Sequence, residues 1–327
     1  MKKRSCGLWL AMVSLTLMLF LLSLGMGKYD LSLGEILSGR ALDPLDYRVF
    51  YTLRLPRTLM ALYAGFSLSL VGSYMQSIFR NPLASPDIMG VSSGAGAGAA
   101  VGIILGGSGF LTVTMGALSG ALLAITLAVY LTRGRYSRQL ASFVVAGVAV
   151  NALAQSVLML MKLMADPQNE LSSIEFWLMG GLSQVTLHKV MLGVMGSLPS
   201  LLLLLALSRQ VAILALSDGE AEALGVSIRV VRPLILFLSA VVVASLISIT
   251  GLITFVGLVA PHLARLIFRK NTLPTWLYSG LLGGSLLLLA DILARSLTYA
   301  EIPVSILTSL LGVPVLILLM RGKGRLT

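Results

Sequence analysis

The chain has 327 residues, of which 57% are hydrophobic and 11% charged, against about 45–50% and about 25% in an ordinary soluble domain. With a mean hydropathy of +0.95 it has too little polar surface for a soluble enzyme, so lipid is its principal solvent. The net charge of +11 is spread between apolar runs and not gathered on a patch, which excludes nucleic acid as a partner and reads as membrane topology.

In chain order, apolar runs fall at about 7–27, 58–79, 88–106, 110–131, 140–164, 190–207, 233–250, 252–268, 274–294 and 303–320, each near the roughly 20 residues of a membrane crossing. The fold class expected is therefore all-α, a single polytopic domain over residues 1–327 with about ten transmembrane helices. The first run follows Lys2-Lys3-Arg4; its length and the lack of an A-x-A-like site predict a retained span and not a cleaved signal. Cys6 is the sole cysteine and supports neither an internal disulfide nor a cysteine metal site. Runs seven and eight are separated only by Gly251, which predicts a turn and a short eighth helix.

With the N-terminus inside, the inner segments hold sixteen of the 24 basic residues, an excess that places both termini in the cytoplasm. Two outer segments are long, 28–57 and 166–189. The second reads as a short interfacial helix ending at Gly180-Gly181, with Trp177 at headgroup depth. The inner segment 208–232 contains Ser217–Val226 (SDGEAEALGV): Ser-Asp caps a short cytoplasmic helix, acidic residues occupy its first turn and Gly225 stops it.

The spans carry no Asp, Glu, Lys or Arg well inside the bilayer. Lys162, His262, Asp291 and Arg295 lie near helix ends, where long side chains reach the interface. That argues against an ion-coupled secondary carrier, which needs an ionisable group at mid-depth. None of the seven lysines sits in a P-loop, so energy for uphill transport must come from another polypeptide. A membrane-embedded enzyme would need clustered His, Asp or Glu, whereas His188 and His262 fall on opposite faces, and no metal site is expected.

Gly94, Gly98, Gly102 and Gly106 repeat at four-residue spacing, a small-xxx-small pattern for close helix packing. The overlapping Gly94-x-Gly96-x-x-Ala99 opens no βαβ unit and is not a dinucleotide fingerprint. Gln76, Asn151 and Gln155 are neutral polar residues within spans; they read first as interhelical hydrogen-bond partners and second as pathway lining.

Several segments together resemble the FecCD-type permeases, the membrane subunits of ABC importers for iron chelates, haem and cobalamin. They are Arg54-Leu-Pro-Arg57, Gln76-x-x-x-Arg80-Asn81-Pro82-Leu83-Ala84-x-Pro86, Gly90-Val-Ser-Ser-Gly94-Ala95, Trp177-x-x-Gly180-x-Leu182, Glu222-Ala-Leu-Gly225-Val226, Gly251 through Pro261-His262-x-x-Arg265, Asp291-Ile-Leu-Ala-Arg295 and Glu301-Ile-Pro303-Val304-x-Ile306-Leu307-Thr308. The match runs in order from about residue 50 to 318. Ser305 departs from the glycine common at that position.

The resemblance implies a type II importer fold in the cytoplasmic (inner) membrane of a bacterium or archaeon, and a homodimer or a pair with a paralogous permease. It also implies two cytoplasmic ATPase subunits, which hold ATP and Mg while this chain holds no cofactor, and an external solute-binding protein. Residue by residue, Arg54, Arg57 and Arg295 match outer arginines that dock carboxylates of the binding protein; snorkelling or pairing of Arg295 with Asp291 is the alternative. Asp218, Glu220, Glu222, Ala223, Leu224, Gly225 and Val226 match the helix that couples to the ATPase, with Leu224 and Val226 as apolar contacts. Asn81, Gln139, Leu140 and Ser142 match the inner gate, with Gln76 beside them on the pathway. Pro261-His262 reads as a helix-end feature. An inverted repeat between spans 2–5 and 7–10 is also implied, with Ile-Phe-Arg at 78–80 and 267–269 as its only visible trace.

Overall fold

A computed structural model describes residues 2–29, 31, 43–132, 140–298 and 300–322; Gln139 lies outside them. Among the described residues there are helices and no strands, as lipid requires of a chain that must satisfy its backbone internally. In order these are α1 (Lys2–Gly25), α2 (Pro44–Ile78), α3 (Val91–Gly106), α4 (Phe110–Leu131), α5 (Leu140–Met164), α6 (Glu170–Met179), α7 (Leu187–Ala206), α8 (Ser208–Leu214), α9 (Asp218–Ala223), α10 (Ile228–Thr250), α11 (Val256–Phe268), α12 (Leu273–Ser296) and α13 (Val304–Gly322).

Seven of these, α1, α2, α4, α5, α7, α10 and α12, are long and apolar enough to cross a membrane. The shorter apolar helices α3 and α11, and Val304–Ile317 of α13, coincide with the remaining three predicted runs. The short eighth helix is present: α10 stops at Thr250 and α11 starts at Val256, with Gly251 and Phe255 both at positive φ (67° and 65°). The predicted interfacial helix is α6.

α2 starts well before the predicted residue 58. Pro44 supplies a preset first turn, and helical backbone continues through a π-helical stretch, Val49–Arg54, into the span. Asp46, Arg48 and Arg54 interrupt the apolar run and hide this extension from a hydropathy reading. The Pro261-His262 expectation is corrected, because Pro261 lies inside α11. Its missing N–H would have bonded the carbonyl of Gly257, and that oxygen instead lies against Gly72 of α2, 1.7 Å from where a β-carbon would stand.

α2 is the centre of the molecule, with 78% of its membrane window buried; α10 and α12 follow at 67%, while α4 buries only 22% within the chain. The core side chains include Tyr74 and Trp276, whose rings meet edge to face at 4.8 Å. The small-residue stripe lies along α4: ideal β-carbons at Gly94, Gly98 and Gly102 fall 2.1–2.6 Å from the carbonyl oxygens of Gly120, Gly116 and Thr112. Gly106 faces the side chain of Thr112. Both Ile-Phe-Arg triplets end a helix, and Arg80 and Arg269 each take left-handed backbone, φ 50° and 52°.

Candidate functional site

The helices alternate, so their connections gather at two ends of the bundle. One, the lever end, carries the residues after α2 and the short helices α8 and α9. The other, the arginine end, carries the start of α2, the segment around α6, residues 251–255 and residues 297–303.

At the lever end, Ser217 and Glu220 form a reciprocal capping box for α9: the serine hydroxyl accepts from the Glu220 N–H, and the glutamate accepts from the Ser217 N–H at 2.9 Å. These bonds hold the Glu220 carboxyl below its ordinary pKa. Gly225 then ends the helix at φ 83°.

Asp218 opens α9 and is shared by two arginines. Arg232, one turn into α10 and fully buried, donates to its carboxylate at 2.9 Å, and Arg80, just past α2, donates to the same oxygen. Partial burial works against the charged carboxylate, yet the two guanidiniums, Arg232 foremost, hold Asp218 below its usual range. Sequence reasoning placed α9 and missed this anchorage, because the partners lie 138 and 14 residues away.

The two apolar contacts expected of this helix separate. Leu224 is 60% exposed, whereas Val226 is 8% exposed and belongs to the core. Val226 is thus corrected from a partner contact to an anchor, since its N–H bonds back to Ala221 and turns the chain inward. Glu222 and Ala223 are exposed.

Of the gate expectations, Asn81 ends α2 in a local turn, its side chain accepting from the Leu83 N–H at 2.9 Å. Gln76 is fully buried and donates to the Leu258 carbonyl of α11 at 2.9 Å. Leu140 and Ser142 are half-buried on the first turn of α5. Gln155 donates to Ser93, which donates to Asn151, so these amides join α5 to α3.

At the arginine end all three candidate arginines are buried, at 5–7% exposure, and each is engaged within the chain. Arg54 donates to the carbonyls of Leu24, Gly25 and Tyr29, which closes the end of α1. Arg57 bonds Asp291 at 2.5 Å and Glu301 at 2.8 Å. Arg295 donates to Ser23 at 2.6 Å and lies 3.4 Å from Asp291. Asp291 and Arg295, expected near the interface, are turned into the protein, while Lys162 reaches out to Glu175 at 2.8 Å. A cavity of about 200 Å³ opens beside this cluster, bounded by Lys28, Tyr29, Arg54, Arg57, Arg295 and Glu301. Among the described residues no three His, Cys, Asp or Glu gather as a metal site.

The end of α6 is fixed from two sides. Gly180 and Gly251 approach backbone to backbone, the Gly181 N–H bonds the Thr250 carbonyl at 2.8 Å, and the Ser305 hydroxyl donates to the Met179 carbonyl. The residue that departs from the family pattern thus ties α13 to α6.

The FecCD transport family model matches residues 15–322. Among known proteins, the chain is 38% identical to the molybdate import system permease protein MolB of Haemophilus influenzae over 92% of each chain. It is 37% identical to the hemin transport system permease protein HmuU of Yersinia pestis, also over 92% of each. Among solved structures it superposes on an inward-facing conformation of a putative metal-chelate type ABC transporter with TM-score 0.88 and 33% identity, covering 97% of this chain and 99% of that one. A family model spanning nearly the whole sequence, a bundle that superposes end to end and motifs in family order lead to one assignment: this chain belongs to the FecCD transport family.

Proposed function

We propose that this chain, as the permease subunit of an ABC importer, moves an iron chelate, a ferric siderophore, across a cytoplasmic membrane by alternating access. The observation that carries the reading is the Arg80–Asp218–Arg232 anchorage. It makes α9 a lever rigidly joined to α2 and α10, with Leu224 left outward for a partner. In this reading the lever end and both termini face the cytoplasm, in line with the excess of Lys and Arg there. Two ATPase subunits, which hold ATP and Mg, seat the levers of two permease copies, either identical or paralogous. ATP binding draws the levers together and reorients the halves around a cavity that a binding protein loads from outside. No bond is made or broken in this chain.

Docking of that binding protein falls to the arginine end. Because the guanidiniums of Arg57 and Arg295 already hold Asp291 and Glu301, an incoming carboxylate competes with Glu301, which is 39% exposed, and not with the fully buried Asp291.

The test is import in proteoliposomes holding the permease with its ATPase and binding protein. Uptake that needs ATP and both partners supports the reading; uptake that persists without the ATPase assigns an ion-coupled carrier. Haem, cobalamin and molybdate are the alternative cargoes, and ligand binding by the partner protein across these and ferric siderophores decides among them.

A further inference from the structure

A second cavity of the arginine end lies outside both charged clusters. It has a volume of about 460 Å³, within the range of small-ligand sites. It is walled by α6 and the residues that follow it, the last turn of α10, the first turns of α4 and α7 and the loop after α3.

Its lining is chemically one-sided. Phe110 and Trp177 give aromatic walls, Ser108 and Ser173 give hydroxyls, Gln184 gives an amide, and Lys189 is the sole charged residue. The acids of α6 point elsewhere, Glu175 to Lys162 at 2.8 Å and Glu170 to the Asp166 N–H at 2.9 Å. The ammonium of Lys189 is held in place, donating to the Gln184 carbonyl at 2.9 Å and lying 4.3 Å from the centre of the Phe110 ring. An ammonium has three donors, so two remain for a ligand. The Ser108 hydroxyl donates to Ser173 at 3.2 Å across the mouth between α6 and the loop after α3, and the Ser173 hydroxyl donates to the Asn169 carbonyl at 2.8 Å, so an anion engages either hydroxyl by displacing one of these bonds.

A single fixed cation, hydroxyls and no carboxylate select an anion rich in oxygen acceptors. We propose that this pocket is a binding site for such an anion, either a free oxyanion held whole or one carboxylate- or oxygen-bearing arm of an anionic metal chelate. The site lies within a single permease copy. It rests on the transport reading only for its purpose, as a stop for cargo entering from outside; the binding itself needs no partner.

Trp177 is one of three tryptophans and lines the pocket, so the full-length chain in lipid nanodiscs reports occupancy through its fluorescence. The probes are sodium molybdate and gallium(III) citrate, a colourless stand-in for a ferric chelate, each against choline chloride at matched ionic strength. The expected result is a saturable change that Trp177→Phe abolishes. Lys189→Gln should raise its half-saturating concentration at least tenfold, and Lys189→Arg should largely restore it. Ser173→Ala, a milder change if Lys189→Gln fails to fold, should raise it about two- to fivefold. A response to molybdate alone identifies a free oxyanion, and a response to gallium citrate identifies a chelate arm. No saturable response to either probe, or one that Lys189→Gln and Ser173→Ala leave unchanged, overturns the site. Loss of ATP dependence in the import assay would sink the transport reading while leaving this titration standing.

Discussion

Arg232 of α10 and Asp218 of α9 meet at 2.9 Å, a fully buried guanidinium closed by a half-exposed carboxylate. Removing the carboxylate leaves Arg232 buried against a neutral group, which costs about 3–5 kcal/mol for a fully buried pair and less here because Asp218 is partly solvated. Asp218→Asn should therefore loosen α9 while the bundle still inserts. We expect ATP hydrolysis by the assembled importer to persist and uptake to fall at least fivefold; equal losses of both would assign Asp218 to folding alone.

The same pair sets a pH dependence. A carboxylate held below its ordinary pKa stabilises the folded state above the unfolded value near 3.8, and that contribution disappears as pH falls through the lower folded value. Hydrogen-exchange protection factors of residues 217–226 should hold down to about pH 4 and fall below it. In Asp218→Asn the exchange should already be fast at neutral pH.

Leu224 and Val226 should behave oppositely. Leu224→Asp places a charge where a partner's apolar groove would seat and should uncouple hydrolysis from uptake without a change in melting temperature. Val226→Ala removes core contacts, costs about 2 kcal/mol and should lower the melting temperature while leaving the coupling ratio intact.

At the arginine end, Asp291→Asn strips the carboxylate that Arg57 and Arg295 share and should destabilise by about 3–5 kcal/mol, read by thermal unfolding in detergent. Glu301→Gln is the gentler probe, since it releases Arg57 and keeps Asp291. If a binding protein's carboxylate docks there, its affinity should rise about three- to tenfold; a fall would assign Glu301 a purely structural part.

Gly72→Ala should be among the most damaging single changes. Its β-carbon would stand 1.7 Å from the Gly257 carbonyl oxygen, and neither backbone can yield without moving its helix. The loss should reach or exceed the upper end of the about 1–3 kcal/mol typical of overpacking, seen as loss of monodisperse protein on size exclusion.

Much of this fold is legible in the sequence because lipid imposes a simple rule, apolar length equals crossing. The ten runs, the break at Gly251 and the capped helix at Ser217 follow from local composition alone. The extension of α2 to Pro44 does not, because its charged residues are satisfied by distant partners: Arg54 by carbonyls at the end of α1, Arg57 by Asp291 and Glu301. The motifs mark these arginines as important without telling which way they face. Long-range pairing decides that, as it decides that Pro261 sits inside α11.

The contact between Gly72 and Gly257 bears on which parts of the importer travel together. Gly65 packs likewise against Gly283 of α12, its ideal β-carbon 2.4 Å from that carbonyl oxygen, so α2, α11 and α12 meet main chain to main chain and offer no plane of slip. If α9 seats in an ATPase as proposed, these three helices and α9, joined to α2 through the Arg80–Asp218 pair, travel as one body.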